Sequence, residues 1–531
     1  MRKKFITLII VFHLAILLLS IIVHRGFLWI LLISFPLAIM GIYDMFQKRH
    51  AIKRNFPILG RLRYVMEDLR PKIYQYFVES DNDGRPINRN ERSTIYQRAK
   101  KDLDSTPFGT QLDVYAEGYE WLGHSISPTN PSKMNHDPRV LIGGTDCKKP
   151  YQASILNVSA MSFGSLSTNA VLALNGGARL GNFAQNTGEG GISPHHLTQG
   201  GDIIWQIGTG YFGCRDFDGC FSEENFLKNA LLPQVKMIEI KLSQGAKPGH
   251  GGILPAAKNT PEIAAIRNVK PGTTVHSPTF HTAFSNPMEM MQFIKRLRNL
   301  SEGKPVGFKL CIGKKAEFMS VCKAMIKSNV YPDFITVDGG EGGTGAAPPE
   351  FSNAVGMPLL DGLAFVHDML NGFGIRDKIK IICSGKILSS FHIVRAMALG
   401  ADTCNSARAM MMALGCIQAL ECNTNRCPTG VATQDPALMI GLDVDDKKQR
   451  VANYQKNTVA AFVELLAASG VDSPNKLRRD DISRRVWVSE VKTLEEIYPS
   501  VSFNSFNLGK VPDRYKGDYE MTNSENWGTH A

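Results

Sequence analysis

The stretch Phe334-Ile335-Thr336-Val337-Asp338-Gly339-Gly340 is a short, β-branched apolar run that ends in an acid and two glycines. Such a run makes a buried strand, and its polar end makes a loop. The same rhythm recurs along the chain: an apolar run, a glycine-rich or polar segment, then a helical stretch. The other runs are ILNVSAM (155–161), NFAQNTG (182–188), KMIEIKL (236–242), TTVHSP (273–278), VGFKLCI (306–312), KIICSGK (380–386) and DTCNSAR (402–408). Strands alternating with helices in this way predict an α/β fold, a (βα)8 TIM barrel rather than a sandwich. Each run ends in residues chemically unusual for turns. That end of the strands is where such a barrel carries its site.

Working outward, the chain has 531 residues, 43% hydrophobic and 21% charged, with 48 Gly and 27 Pro. That composition allows a sizeable core and rules out wholesale disorder or collagen. The formal charge is +11, and ten basic residues against Asp44 alone within residues 1–63 account for nine of those charges. The basicity therefore belongs to the N-terminus and not to a nucleic-acid groove. Residues 5–23 and 27–43 are apolar runs separated by His24, Arg25 and Gly26. Each approaches the ~20 residues that cross a bilayer, so residues 1–50 predict a two-helix transmembrane hairpin in contact with membrane lipid. A cleaved signal peptide is the alternative for the first run, but a second run follows at once with no small-x-small site between them. Pro36 is tolerable in a membrane helix. Basic residues precede the first run and follow the second. This predicts a multi-pass protein of the cell membrane with a cytoplasmic catalytic part.

Residues 51–149, with helical stretches Gly60–Phe77 and Arg89–Leu103, are expected to connect the hairpin to a barrel over 150–435 and to pack on it. Residues 436–531 read as a helical extension containing Val451–Ser469, with a tail expected to lose order after about 515. Ten irregularly spaced cysteines fit a reducing compartment.

Two stretches match G-x-G-x-x-G, at Gly208–Gly213 and Gly340–Gly345, but neither opens an early βαβ unit with a following acid, so a dinucleotide fold is not indicated. A phosphate grip reads better from Cys383-Ser384-Gly385-Lys386 after the seventh strand, and from Gly400 and Arg408 around the eighth. The sharpest local signal is Cys416, Cys422 and Cys427-Pro428, with C-x5-C-x4-C spacing. Three close thiolates ending in Cys-Pro look like iron–sulfur ligation. Structural zinc would call for a fourth ligand that is not at hand. The other seven cysteines read as packing residues.

Together these residues resemble the flavin-binding synthase domain of glutamate synthase. The matches run in order: Ser159-Ala160-Met161-Ser162-Phe163-Gly164-Ser165, Asn186-Thr187-Gly188-Glu189-Gly190-Gly191, Gly245-Ala246-Lys247-Pro248-Gly249, Ser277-Pro278, Lys309-Leu310, Asp338-Gly339-Gly340-Glu341-Gly342-Gly343, and Cys416 through Gln434. The resemblance implies an oxidoreductase acting on CH–NH2 donors, with FMN on the barrel beside a 3Fe–4S cluster held by the three cysteines. Electrons would pass through the cluster to FMN, and hydride to the imine formed from 2-oxoglutarate and ammonia. Ser159, Ala160, Met161 and Ser162 would lie against the flavin ring, with Asn186, Gly339 and Gly340 also lining the cofactor. Lys309 would place a cation at the flavin N1–C2=O edge. Ser384, Gly385, Lys386, Gly400 and Arg408 are the phosphate candidates. Lys247 would pair with the substrate carboxylate, and Glu189 would move a proton or orient the imine. An ion pair between these two is the alternative.

Two departures bear on the substrate. The family's Lys-Pro-Gly-Glu-Gly-Gly-Gln reads here as Lys247-Pro248-Gly249-His250-Gly251-Gly252-Ile253. In the family that glutamine contacts the oxo acid through its amide, and an isoleucine cannot hydrogen-bond to it. The second departure is the membrane run at Met1, so no N-terminal glutaminase cysteine is expected, and ammonia, an amine or a partner subunit is expected to supply nitrogen. The expected reaction is reductive amination of a 2-oxo acid. An N-methylglutamate synthase-like enzyme using an amine, and a flavin/iron–sulfur electron-transfer module, are the alternatives. The electron donor stays open between ferredoxin, a flavoprotein subunit and a quinol.

Overall fold

The computed structural model describes residues 1–102 and 105–527. Leu103, the last residue of one expected helix, and the chain end 528–531 lie outside the described residues. The chain forms two compact units, Met1–Asn88 and Arg89–Ala531. Residues 51–88 thus belong with the hairpin, and 89–149 with the barrel.

In the first unit, helix α1 (Arg2–Ile22) is followed by a 3₁₀ turn (Arg25–Ile30) that runs into α2 (Leu31–Phe46). Arg2–Ile22 and Arg25–Phe46 are each long and apolar enough to cross a membrane. The short connection is feasible because His24 Nδ1 accepts from Gly26 N at 3.0 Å and caps the turn. His13 bonds the Ile9 carbonyl at 2.9 Å and reaches Ser34 Oγ on the second helix at 3.4 Å, so it packs the two helices together. Helix α3 (Leu59–Ile73) continues into a wider turn through Val78.

In the second unit, eight parallel strands close a barrel: β1 (Leu156–Val158), β2 (Ala184–Asn186), β3 (Asp202–Ile207), β4 (Val235–Lys241), β5 (Val306–Leu310), β6 (Phe334–Asp338), β7 (Lys380–Ser384) and β8 (Thr403–Ser406). Seven of the expected runs are barrel strands. The eighth, 273–278, is not: Val275–His276 pairs antiparallel with Ile253–Leu254 in the β4–β5 connection. Its place is taken by Asp202–Ile207, whose Gln206 interrupts the apolar run. That amide points into the barrel and donates to Glu239 at 2.6 Å, while Trp205 stacks on Phe226. One strand is missed before β5 and one is added, so Lys309 keeps its place on the fifth strand.

The barrel floor is sealed by the antiparallel hairpin Arg139–Ile142/Tyr151–Ser154. Its Ile142, Tyr151 and Ala153 pack with Ala184, Ile204, Met237, Phe334 and Ile382 in one buried cluster. Burying each large apolar side chain contributes about 1.5–3 kcal/mol. With the floor closed, the open end is the C-terminal end of the strands.

Helix α4 (Arg89–Lys100) begins this unit, and α5 (Thr168–Gly181) follows β1. Ser167 caps α5 by accepting from Ala170 N at 3.1 Å. Helices α6 (Ser390–Ala398) and α7 (Arg408–Ala413) follow β7 and β8, and α8 (Val444–Ala468) packs on α5. A Cβ at Gly177 would meet Val451 of α8, so glycine there permits the close approach. The C-terminal extension is thus a wall of the barrel unit, with Tyr454, Phe462 and Leu466 buried. Its tail is more structured than expected: Asp513–Glu520 is helical, and Trp527 Nε1 donates to Ser285 O at 2.7 Å.

Candidate active site

Glu189 follows β2, Lys241 ends β4 and Lys247 lies just beyond. Glu189 Oε1 stands 2.9 Å from Lys241 Nζ, while Lys247 Nζ donates to Ala346 O at 3.1 Å. The ion pair of Glu189 is therefore with Lys241 and not with Lys247. Burial pushes the Glu189 carboxyl up, but Lys241 above all, then Lys247 and Arg267, outweigh it and hold it below its usual range. Burial, and then Lys241, bring Lys247 down to about 8, with Glu189 opposing. His281 anchors this strand end: its ring nitrogens lie 2.9 Å from Lys241 O and 3.0 Å from Tyr211 Oη. A Cβ at Gly252 would meet Glu189 Oε1 and Ser277 Oγ, so Gly252 packs directly against the carboxylate. Ile253 lies in the two-stranded ribbon. His250 bonds Gly251 O at 2.7 Å and packs edge-on against Phe351.

The neighbouring strands carry a second ion pair. Lys309 Nζ lies 3.0 Å from Asp338 Oδ2, which also accepts from Gly245 N at 3.0 Å. Burial lowers Lys309, but Asp338 and Glu239 prevail and raise it above an ordinary lysine, so it is a fixed cation. A Cβ at Gly245 would fall on the Gly339 carbonyl oxygen, so the loops after β4 and β6 interlock where neither has a side chain. Below them, Glu239 is fully buried and accepts from Asn186 at 2.8 Å, Gln206 at 2.6 Å and Thr336 at 2.5 Å. Asn186 also accepts from Gly188 N at 3.0 Å, so its amide belongs to the barrel interior.

The loop after β1 carries Ala160, Met161 and Ser162 partly exposed at the open end. Ser162 Oγ bonds Ser165 Oγ at 2.9 Å, and Ser159 Oγ meets Ser384 Oγ of β7 at 3.1 Å. Asn405 lies beside Ser384 in register, and its buried Oδ1 has no partner. Gly339 N donates to Ser384 O at 2.9 Å, and Gly340 N to Met357 O at 2.8 Å. Gly385 packs on Gly339, Lys386 adopts a left-handed φ of 55°, and α6 opens only at Ser390. Arg408, at the start of α7, donates to Glu341 O at 2.6 Å. Gly400 is a correction. Arg376 binds Gly400 O at 3.0 Å and Asp402 at 2.8 Å, and Asp402 accepts from Ile381 N. That places Gly400 where β7 and β8 begin, at the end of the barrel opposite Ser384 and Arg408. Sequence adjacency to the eighth strand did not distinguish its two ends.

Cys416, Cys422 and Cys427 share the loop after α7, and the charges of Cys422 and Cys427 act on Cys416. Among the described residues no three His, Cys, Asp or Glu side chains are placed to hold a single metal ion. Burial raises Cys427, but Thr429 and the amides of Ala432, Thr429 and Val431 outweigh it and favour the thiolate. Lys258, 2% exposed, donates to Ser165 O at 3.1 Å, Cys422 O at 2.9 Å and Ala432 O at 2.8 Å. It ties the cysteine loop to the loop after β1. From the other side, Tyr96 of α4 donates to Cys416 O at 2.7 Å. Burial pushes the Cys416 thiol up to about 11 and raises Cys422 as well, so of the three only Cys427 is held toward its thiolate, with the buried Lys258 ammonium alongside.

Lys241, Lys258, Arg267 and Asp338 are site residues the sequence reading did not single out as such. Arg267 Nη2 donates to Phe163 O at 3.0 Å, under the loop after β1. For Lys241 and Asp338 the available signal was a charge closing an apolar strand run. For Lys258 and Arg267, which lie in the β4–β5 connection, the sequence offers no local signal.

A family profile described as a conserved region in glutamate synthase matches residues 113–472. The glutamate synthase large subunit-like protein YerD of Bacillus subtilis is 39% identical over 86% of this chain and 94% of its own length. The archaeal glutamate synthase [NADPH] of Methanocaldococcus jannaschii is 36% identical over 64% of this chain, which spans 63% of that relative. Among solved structures, a mandelate oxidase aligns with 12% identity and a TM-score of 0.41 over 81% of this chain and 98% of its own. The chain belongs to the glutamate synthase family of oxidoreductases.

Proposed function

We propose that this chain is a membrane-anchored oxidoreductase that binds FMN and a 3Fe–4S cluster and reductively aminates a 2-oxo acid. The observation that carries the reading is the Glu189–Lys241–Lys247 group at the open end of the barrel, beside the Lys309–Asp338 pair and a cysteine loop tied to the loop after β1. The donor set fits FMN: serine hydroxyls at Ser159 and Ser384, an orphaned Asn405 Oδ1, and the cations Lys386 and Arg408 for a phosphate dianion. When bound, the flavin would supply the two-electron reducing chemistry. Lys309 would hold positive charge against the pyrimidine edge of the ring, and the three cysteines would hold the cluster.

The chain's own residues then have defined tasks. The Lys247 ammonium pairs with the substrate carboxylate. The oxo acid and ammonia or an amine condense with loss of water to a protonated imine, and two electrons and one proton arrive as hydride to give the amino acid. Glu189, held anionic, accepts the iminium N–H and stabilises its positive charge without taking a proton. Lys241 keeps that carboxylate in place. Ile253, which stands where the family has a glutamine, is compatible with a second form of the same reading, in which a methylated amine replaces ammonia.

The test is detergent-purified protein assayed for flavin, iron and the cluster EPR signal, reduced anaerobically, then mixed with 2-oxoglutarate and ammonia or methylamine. Reoxidation of the flavin with formation of an amino acid is expected. Bound cofactors with no reoxidation by any 2-oxo acid would leave an electron-transfer module, and absence of both cofactors would overturn the reading. One pH effect follows. Lys247 is a cation below about 8 and loses its proton as pH rises through that value. We expect kcat/KM for the oxo acid to be level at lower pH and to fall above it. Lys247→Arg is expected to move the fall to higher pH, and an unmoved profile would remove Lys247 from substrate binding.

The two apolar N-terminal helices support anchoring in a membrane with both ends in the cytoplasm.

A further inference from the structure

Helix α3 follows α2 after a short elbow, and the described residues of its own unit leave its apolar face uncovered. Leu59, Leu62, Val65, Met66, Leu69 and Ile73 are 38–67% exposed. At 3.6 residues per turn they share an arc of about 120°. Arg63 and Arg70 flank one edge of that stripe and Arg61 and Lys72 flank the other; Glu67 and Asp68 lie farther round from it, Glu67 paired with Arg63 at 2.9 Å. The elbow itself is fixed. Asp44, 0% exposed in the last turn of α2, accepts from Arg61 Nε and Nη2 at 2.8 Å each and from Ile58 N at 3.1 Å. A bidentate, buried pair of this kind holds direction as well as position. Gly60 packs on the backbone of Ile52 and Lys53 in the same elbow.

We propose that α3 lies in the plane of the lipid bilayer, with its leucine stripe at the acyl boundary and Arg70 and Lys72 at the phosphates of anionic headgroups. The inference rests on the membrane reading of α1 and α2. The occupant is lipid because the stripe begins one elbow beyond a candidate span, and because cations border both of its edges while the acids lie farther round. That is the charge order a headgroup layer selects. A basic stem placed at the edge of the stripe buries its methylenes and keeps its charge at the phosphates. The Asp44–Arg61 pair makes the geometry specific: it ties the start of the in-plane helix to the end of the span.

The test uses the full chain in vesicles containing anionic phospholipid, with a photoreactive amino acid placed singly at Leu62, Leu69, Glu67 and, within α1, Leu17. We expect lipid adducts at Leu17, and at Leu62 and Leu69 at least about fivefold above Glu67, as for a helix buried on one side only. Adducts at Leu62 and Leu69 with the protein's own chain, or none, alongside lipid adducts at Leu17, would overturn the in-plane helix and leave the hairpin standing. No lipid adduct at Leu17 would remove the membrane reading itself. Equal lipid labelling at Glu67 and Leu69 would show a helix immersed without orientation, which also overturns the proposal.

Discussion

Glu189→Gln is expected to lower turnover of the oxo acid by about 10²- to 10³-fold while flavin content holds. The side chain keeps its size, and only the anion is lost. That anion has Lys241 at 2.9 Å, and the charges of Lys247 and Arg267 act on it as well. In the proposed reaction it would be a negative charge held ready for a cationic iminium before substrate arrives. An amide in its place can still accept an N–H but cannot balance that charge. Lys241→Met is the complementary experiment. It leaves the carboxylate with less compensation at a site only 17% exposed, and breaking a buried pair this way costs about 3–5 kcal/mol when nothing else compensates. Lys247 and Arg267 remain, so the loss is expected at or below the low end of that range. The double variant is expected to be more stable than Lys241→Met alone, yet as inactive as Glu189→Gln. Thermal unfolding and steady-state rates on the three proteins decide it. Activity of Glu189→Gln within tenfold of the parent would sink the assignment.

What the sequence makes legible follows from how local each signal is. Strands such as Phe334–Asp338 are continuous apolar runs because both faces are covered, and they read directly. Asp202–Ile207 does not, because Gln206 faces the barrel interior, where Glu239 needs its amide. The partner that makes glutamine acceptable there is 33 residues away and invisible locally. The Thr273–Pro278 run has the right composition but pairs with Ile253–Leu254 outside the barrel. The site divides the same way. Glu189, Lys247 and Lys309 sit in distinctive glycine-rich or strand-end stretches. Lys258 acts on carbonyls of Ser165, Cys422 and Ala432, which only tertiary folding brings to it. Gly400 shows the converse error, a plausible residue type at the wrong end of the correct strand.

The cysteine loop yields the other large expected effect. Cys427→Ser is expected to abolish the cluster EPR signal, to remove about three irons per chain, and to lower turnover with any donor that enters through the cluster by at least about 100-fold. Cys427 is 7% exposed, and its sulfur faces the amides of Thr429, Val431 and Ala432. Those donors favour a thiolate at this position. A serine oxygen is smaller and harder and does not replace it as an iron ligand. The flavin side is expected to survive, because the loop after β1 is also held by Arg267 at Phe163 O and by the Ser159–Ser384 hydroxyl pair. Photoreduced Cys427→Ser should therefore still be reoxidised by oxo acid and ammonia or an amine in a single turnover. That separation of half-reactions distinguishes a lost electron entry from a collapsed barrel. Lys258→Met provides the electrostatic control. It is expected to keep the irons but to shift the cluster potential to more negative values, since the buried ammonium lies where Cys422 and Cys427 act on it. Iron content and donor-driven turnover unchanged in Cys427→Ser would remove the cluster from this loop.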